Sequence, residues 1–158
     1  MIKLVCVGKI KEKALQSLID EYLKRLQVYT KVTIVEVDDI AASQNNSDAQ
    51  NMQVMIGEGK KILAQIKDNE HVILLDLRGQ MWDSLELTAH LSEVQTYTSS
   101  DITFVIGGSL GVSDEVVSRA NVKWQLSKLT FVHQMVRLIV LEQIYRSYKI
   151  RKNEPYHK

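Results

Sequence analysis

The stretch "FVIGGSLGVSDEV", Phe104 to Val116, runs from apolar, strand-like residues through a glycine cluster into the start of a helix. Gly107, Gly108 and Gly111 let a backbone approach a ligand closely, because no Cβ stands in the way. The usual phosphate-cradling patterns do not fit it. A P-loop needs Gly, four residues, then Gly-Lys-Ser/Thr, and a dinucleotide fingerprint needs glycines at the first, third and sixth positions. Here Ser109 and Leu110 separate the glycines and no Lys follows, so a nucleotide triphosphate is not the expected ligand.

Outward from this turn, strands and helices alternate. "IKLVCVG" reads as a strand, residues 12 to 28 as an amphipathic helix, and "KVTIVEV" as a second strand. A polar stretch follows, in which Ser47 or Asp48 caps a helix running through Lys67. Then come the strand "HVILLDL", a helix from Asp83 to Tyr97, the strand "DITFVIGG", a short helix after Ser113, the strand "VKWQLS" and a long helix from His133 to Lys149. The strands are apolar almost throughout, which predicts an α/β fold: one domain over residues 1–158, a parallel sheet with helices on both faces. Ligands of such sheets sit beyond the carboxyl ends of strands. Three strand ends therefore matter, at Leu74 to Gly79, Val105 to Gly111 and Gln125 to Gln134.

With 20 basic against 19 acidic residues, net charge +1, the chain is no globally basic nucleic-acid binder, so local patches have to be read by position. The lone Cys6 lies in an apolar run and reads as a core residue of a reduced, cytoplasmic protein, with a reactive thiol as the alternative. No apolar run is long enough to span a bilayer. The four histidines are scattered and there is no Cys pair, so no metal site is expected; no G-x-S-x-G elbow supports a serine nucleophile.

The last helix is apolar nearly all round. Leu138, Leu141, Tyr145 and Tyr148 form one face and Val136, Val140 and Ile144 another, with His133 and Arg137 between them. Either both faces bury within one subunit, or one packs on a second copy of the chain. Glu142 and Arg146 stand four apart in the order that favours an intrahelical ion pair. Lys149 and the tail "IRKNEPYHK" after it set Lys149, Arg151, Lys152 and Lys158 against Glu154, with Tyr156 and His157 interleaved, a pattern that suits looped RNA but is also that of many frayed termini.

Taken together, "VILLDLRG", "FVIGGSLG", "LSKLTFVHQMVRLIVLEQIYRSYKI" and the terminal "PYHK" resemble the bacterial RlmH family of SPOUT-class methyltransferases, over essentially the whole chain. The resemblance implies a SPOUT fold whose C-terminal part is threaded as a trefoil knot. It implies a homodimer that uses S-adenosylmethionine to methylate N3 of a pseudouridine in 23S ribosomal RNA on assembled ribosomes. It places the cofactor against Leu75, Gly107 and the run Leu126, Ser127, Lys128, Leu129, Thr130, Phe131, whose apolar members read otherwise as ordinary core. His157 and Glu142 become candidates for the catalytic base, and Arg146 and Arg137 for holding phosphate or the base's oxygen. Arg137, Lys149, Arg151, Lys152, Tyr156 and Lys158 are the expected RNA contacts, with the tail ordering when RNA and cofactor bind. One departure is Val132, where the family usually shows Pro; losing the ring frees φ and predicts a looser loop. A flavodoxin-like flavin or nucleotide binder and a non-catalytic ribosome-binding module are the competing readings.

Overall fold

Side chains alternate across a strand, and the first strand, β1 (Ile2–Val7), uses both directions: Ile2, Leu4 and Cys6 enter one core, Val5 and Val7 another. The computed structural model, which describes residues 1–158, repeats this pattern along the sheet. Its elements follow in the order β1, α1 (Lys13–Leu26), β2 (Val32–Val37), α2 (Asp48–Leu63), β3 (His71–Met81), α3 (Ser84–Tyr97), β4 (Ile102–Ile106), α4 (Asp114–Arg119), β5 (Val122–Gln125) and α5 (His133–Arg151). The sheet has the order β2-β1-β4-β3-β5 and every pairing is parallel. The larger core lies under α1, α3 and α5, the smaller under α2 and α4. Helices thus cover both faces, as an apolar parallel sheet requires.

Helix starts follow their caps. Ser47 accepts the Gln50 N–H while Gln50 returns a bond to the Ser47 N–H, and Asp83 and Glu86 do the same at α3. Helix α2 stops at Leu63, short of the expected Lys67, because the chain tightens into three-residue turns with Gln65 bonding back to Ile62 and Ile66 to Leu63. Helix α5 gains two residues and ends at Arg151.

Strand β3 is longer than its apolar run. Trp124 of β5 lies opposite Leu75 and again opposite Gln80, so the residues between them leave the ladder and return to it. Gly79 makes the return possible: a Cβ there would sit 2.5 Å from the Lys123 carbonyl carbon.

Both apolar faces of α5 are covered within the one chain. Val140, Leu141 and Ile144 are fully buried, and the helix packs against α1, α3 and the sheet. The apolar character of α5 therefore carries no argument for a second copy. Cys6 is fully buried, and burial pushes its thiol up to about 12, which removes the reactive-thiol alternative. No helix is long and apolar enough to cross a membrane.

At the amino end of β3, His71 Nε2 meets His90 Nε2 at 3.3 Å, and Trp82 stacks on His90. Burial lowers both imidazoles below the ordinary value of about 6.5. The unfolded chain then binds more protons, so the contribution of these neutral rings is present above that value and is lost as pH falls through the lower folded values. The melting temperature is expected to drop between about pH 6.5 and 5, where the carboxylates are still ionised, and His90→Gln should flatten that slope.

Candidate active site

The carboxyl ends of β3, β4 and β5 open on a cavity of about 700 Å³. Three segments wall it: Leu75 to Arg78 where β3 leaves its ladder, Ile106 to Val112 after β4, and Leu126 to Val136 with Lys128, Gln134 and Met135 excepted. The turn after β4 closes on itself, with Gly108 and Gly111 bridged and Gly111 at φ +88°, a conformation open to glycine. Of the residues singled out in the sequence for the cofactor, Leu75, Gly107, Leu126, Ser127, Leu129, Thr130 and Phe131 line the cavity; Lys128 is exposed and lies outside it.

The wall is apolar, with few charges. Its carboxylate, Asp76, accepts Arg78 Nε at 3.1 Å and Nη2 at 2.9 Å, and that pairing holds Asp76 below the usual carboxylate range. Arg78 is thereby occupied, and no lysine faces the cavity. A phosphate would want free cations or a ring of N–H groups, whereas adenine and a methyl sulfonium want apolar walls and backbone polar atoms. The residues present fit the second description, which disfavours a phosphorylated flavin.

Arg137 is not on this wall. It is 1% exposed, with Nη1 on Glu36 Oε2 at 2.7 Å and Nη2 on the Gly8 carbonyl at 2.7 Å. The expectation that it holds RNA is corrected: Nη1 and Nη2 are engaged at the ends of β1 and β2 beneath α5, and Nε is buried without a partner. Apolar neighbours in the sequence concealed this, since a lone arginine between two apolar faces looks the same whether it points inward or outward.

The tail forms a second cluster. Glu142 Oε1 accepts Arg146 Nη2 at 2.6 Å, Arg146 Nε at 3.1 Å and the Tyr156 hydroxyl at 3.0 Å, while Oε2 takes Gln143 at 2.8 Å. Arg146 Nη1 reaches His157 Nδ1 at 3.1 Å and its guanidinium covers the Tyr156 ring. The structure thus gathers Glu142, Arg146, Tyr156 and His157, and adds Tyr22, whose hydroxyl lies 3.3 Å from that of Tyr156. Burial and the contacts to Tyr22 and Glu142 raise the Tyr156 phenol, so it stays protonated. Because guanidinium only donates, His157 Nδ1 accepts and the ring's remaining proton sits on Nε2. Both candidate bases therefore have engaged lone pairs. No signal in α1 marked Tyr22 as part of this group, because its apolar spacing reads as core.

Of the other cations, Lys149 pairs with Glu154 at 2.7 Å against the Tyr29 ring, so it is a tail anchor rather than a free contact. Arg151 is exposed, with Nη1 on Gln95 at 2.7 Å. Lys152 and Lys158 are exposed. No group of three or more metal-ligating side chains comes together.

The comparison with known proteins bears on this pairing of an apolar cavity with a polar tail. Residues 1–157 match the family described as "Predicted SPOUT methyltransferase". The chain is 51% identical over 157 residues to "Ribosomal RNA large subunit methyltransferase H" of Clostridium novyi (strain NT), covering 99% of each. It is 51% identical to the protein of that name from Listeria monocytogenes serotype 4b (strain F2365) and 48% to that from Enterococcus faecalis (strain ATCC 700802 / V583), again over 99% of each. The chain belongs to the RlmH family of SPOUT methyltransferases. Within that family the departure at Val132 turns out to be mild. Val132 caps α5 with φ −58°, inside the range a proline ring imposes.

Two outcomes follow from these contacts. Val132→Pro should raise stability by about 0.4–1 kcal/mol through the unfolded chain and leave ligand binding within a factor of two, read by thermal melts and calorimetry. Arg137→Met should cost about 2–4 kcal/mol in denaturant unfolding, because it strands the Gly8 carbonyl and Glu36; Glu36→Gln should cost less, since Glu36 is 36% exposed.

Proposed function

We propose that this RlmH-family chain transfers a methyl group from S-adenosylmethionine to N3 of a pseudouridine in 23S ribosomal RNA of the assembled ribosome, in the cytoplasm. The observation that carries the donor is the cavity at the three strand ends, apolar and without a free cation. The substrate rests on the full-length likeness to proteins named for large-subunit ribosomal RNA methylation.

Methyl transfer from sulfonium to nitrogen is an in-line displacement that needs positioning above all. The new N3–CH3 bond forms as the S–CH3 bond breaks, leaving the neutral thioether, and the N3 proton passes to solvent. Negative charge gathers on the imide as that proton leaves. Arg146 and the Nε2–H of His157 are donors suited to that charge, and Glu142 holds Arg146 in place through two bonds. Arg151, Lys152 and Lys158 are left to meet phosphates.

The two halves are apart in one chain. None of Glu142, Arg146, Tyr156 or His157 lines the cavity, and Arg146 follows Val136 by ten residues, about 15 Å along a helix. A homodimer resolves this, with the tail of one copy facing the cavity of the other. Leu77, Leu129 and Val132, all more than half exposed on the cavity wall, are the apolar surface that a second copy would cover. The trefoil threading implied by the family belongs to the same proposal; the run from Leu126 lies beside the turns after β3 and β4.

The test is incubation with labelled S-adenosylmethionine and ribosomes lacking the modification, followed by mapping of the labelled nucleotide. Label at one pseudouridine of 23S RNA is expected. Arg146→Ala and removal of residues 155–158 should each lower turnover by a hundredfold or more while donor affinity changes little. Full turnover in the truncated protein, or label in no RNA, contradicts the reading.

A further inference from the structure

Behind the glycine turn lies a smaller hollow of about 310 Å³. Residues 39–42 after β2, Val7 of β1, Glu58 of α2 and His133 line it, and it shares Gly108, Ser109, Leu110 and His133 with the larger cavity. The two spaces therefore meet at one short turn.

Glu58 is the buried charge of this hollow, 5% exposed. Its Oε2 accepts the Ile40 N–H at 2.9 Å, whereas Oε1 has no hydrogen-bond partner and no lysine or arginine lines the space. The carboxylate presses against the turn: a Cβ on Gly108 would stand 3.1 Å from Oε1 and 3.2 Å from Val7 Cγ1. Asp39, exposed at the rim, adds a second negative charge. Oε1 therefore opens on the hollow with an acceptor position free for a cation.

The methyl donor brings such a cation. Besides its sulfonium it carries an α-ammonium group, and the larger cavity has no free anion to receive it, since Asp76 is held by Arg78. We propose that Glu58, with Asp39, binds the α-ammonium of the methyl donor where the two hollows meet at the Gly108–Leu110 turn. The proposal rests on the methyltransferase reading and adds a specificity determinant to it: the enzyme selects donors that keep the amino-acid end. Gly108 is required so that the carboxylate can reach the turn.

Calorimetry on the full chain tests this with three probes: S-adenosylmethionine, an S-adenosyl analogue lacking the α-amino group, and 5′-methylthioadenosine, which lacks the amino-acid end. The wild-type chain should bind the deamino analogue at least about tenfold more weakly than the parent donor. Glu58→Gln keeps the acceptor for Ile40 and should lose about tenfold or more for S-adenosylmethionine, with methylthioadenosine unchanged within about twofold; that unchanged binding also reports an intact fold. Equal affinity of the wild type for donor and deamino analogue overturns the proposal whatever the variant does, as does an equal loss for both ligands in Glu58→Gln. Wild-type binding of methylthioadenosine with indifference to the amino group would remove the ammonium site and leave the methyltransferase reading standing, whereas no binding of any adenosyl compound would remove both.

Discussion

A single buried guanidinium decides where the longest helix begins. Arg137 reaches from the first turns of α5 to the Gly8 carbonyl and to Glu36, at the carboxyl ends of β1 and β2. Burying an arginine is expensive, and it is tolerated here because the charge is paired and carbonyl oxygens take further protons. The result is a fixed start for α5. The run from Leu126 to Val132 must then travel from β5 to that point, past the turns after β3 and β4, and in doing so it becomes the third wall of the cavity.

Placement of the remaining charges follows from that geometry. Inside the cavity the one carboxylate and the one arginine neutralise each other, leaving a space suited to an adenosyl group and hostile to polyphosphate. Polar side chains are concentrated instead on the tail, where Glu142 collects Arg146 and Tyr156 and Arg146 collects His157. The apolar cavity and the polar cluster thus lie at opposite ends of α5. Tyr145, stacked edge-on against both Tyr22 and Tyr156, ties the tail down on α1 and α5. A tail held in this way has its polar face set before RNA arrives, which lowers the ordering cost of recognition.

Much of this was legible in the residues alone. Apolar strands alternating with helices dictate a parallel sheet, Ser47 and Asp83 mark helix starts, and the motif run from Leu126 to His133 points to the cavity. What stayed hidden depends on contacts distant in sequence. The departure and return of β3 rest on Gly79 passing the backbone of Lys123, a closeness that nothing in "LRGQM" announces. Arg137 read as a surface cation because periodicity gives the angle of a side chain and not its partner. Glu58 carries no motif that marks it in the sequence; its place against the Gly108 turn is set by packing between α2 and the segment after β4. Lys149 joined the basic tail by composition, yet its partner Glu154 lies five residues further on.

The central claim is that the cavity formed by the turns after β3, β4 and β5 is the seat of the methyl donor. A crystal structure of the chain with S-adenosylhomocysteine examines it directly. Ligand density bounded by Leu75, Gly107 and Phe131 is the predicted result. Density in any other place, or a phosphorylated coenzyme taking that space in competition with the thioether, would contradict it.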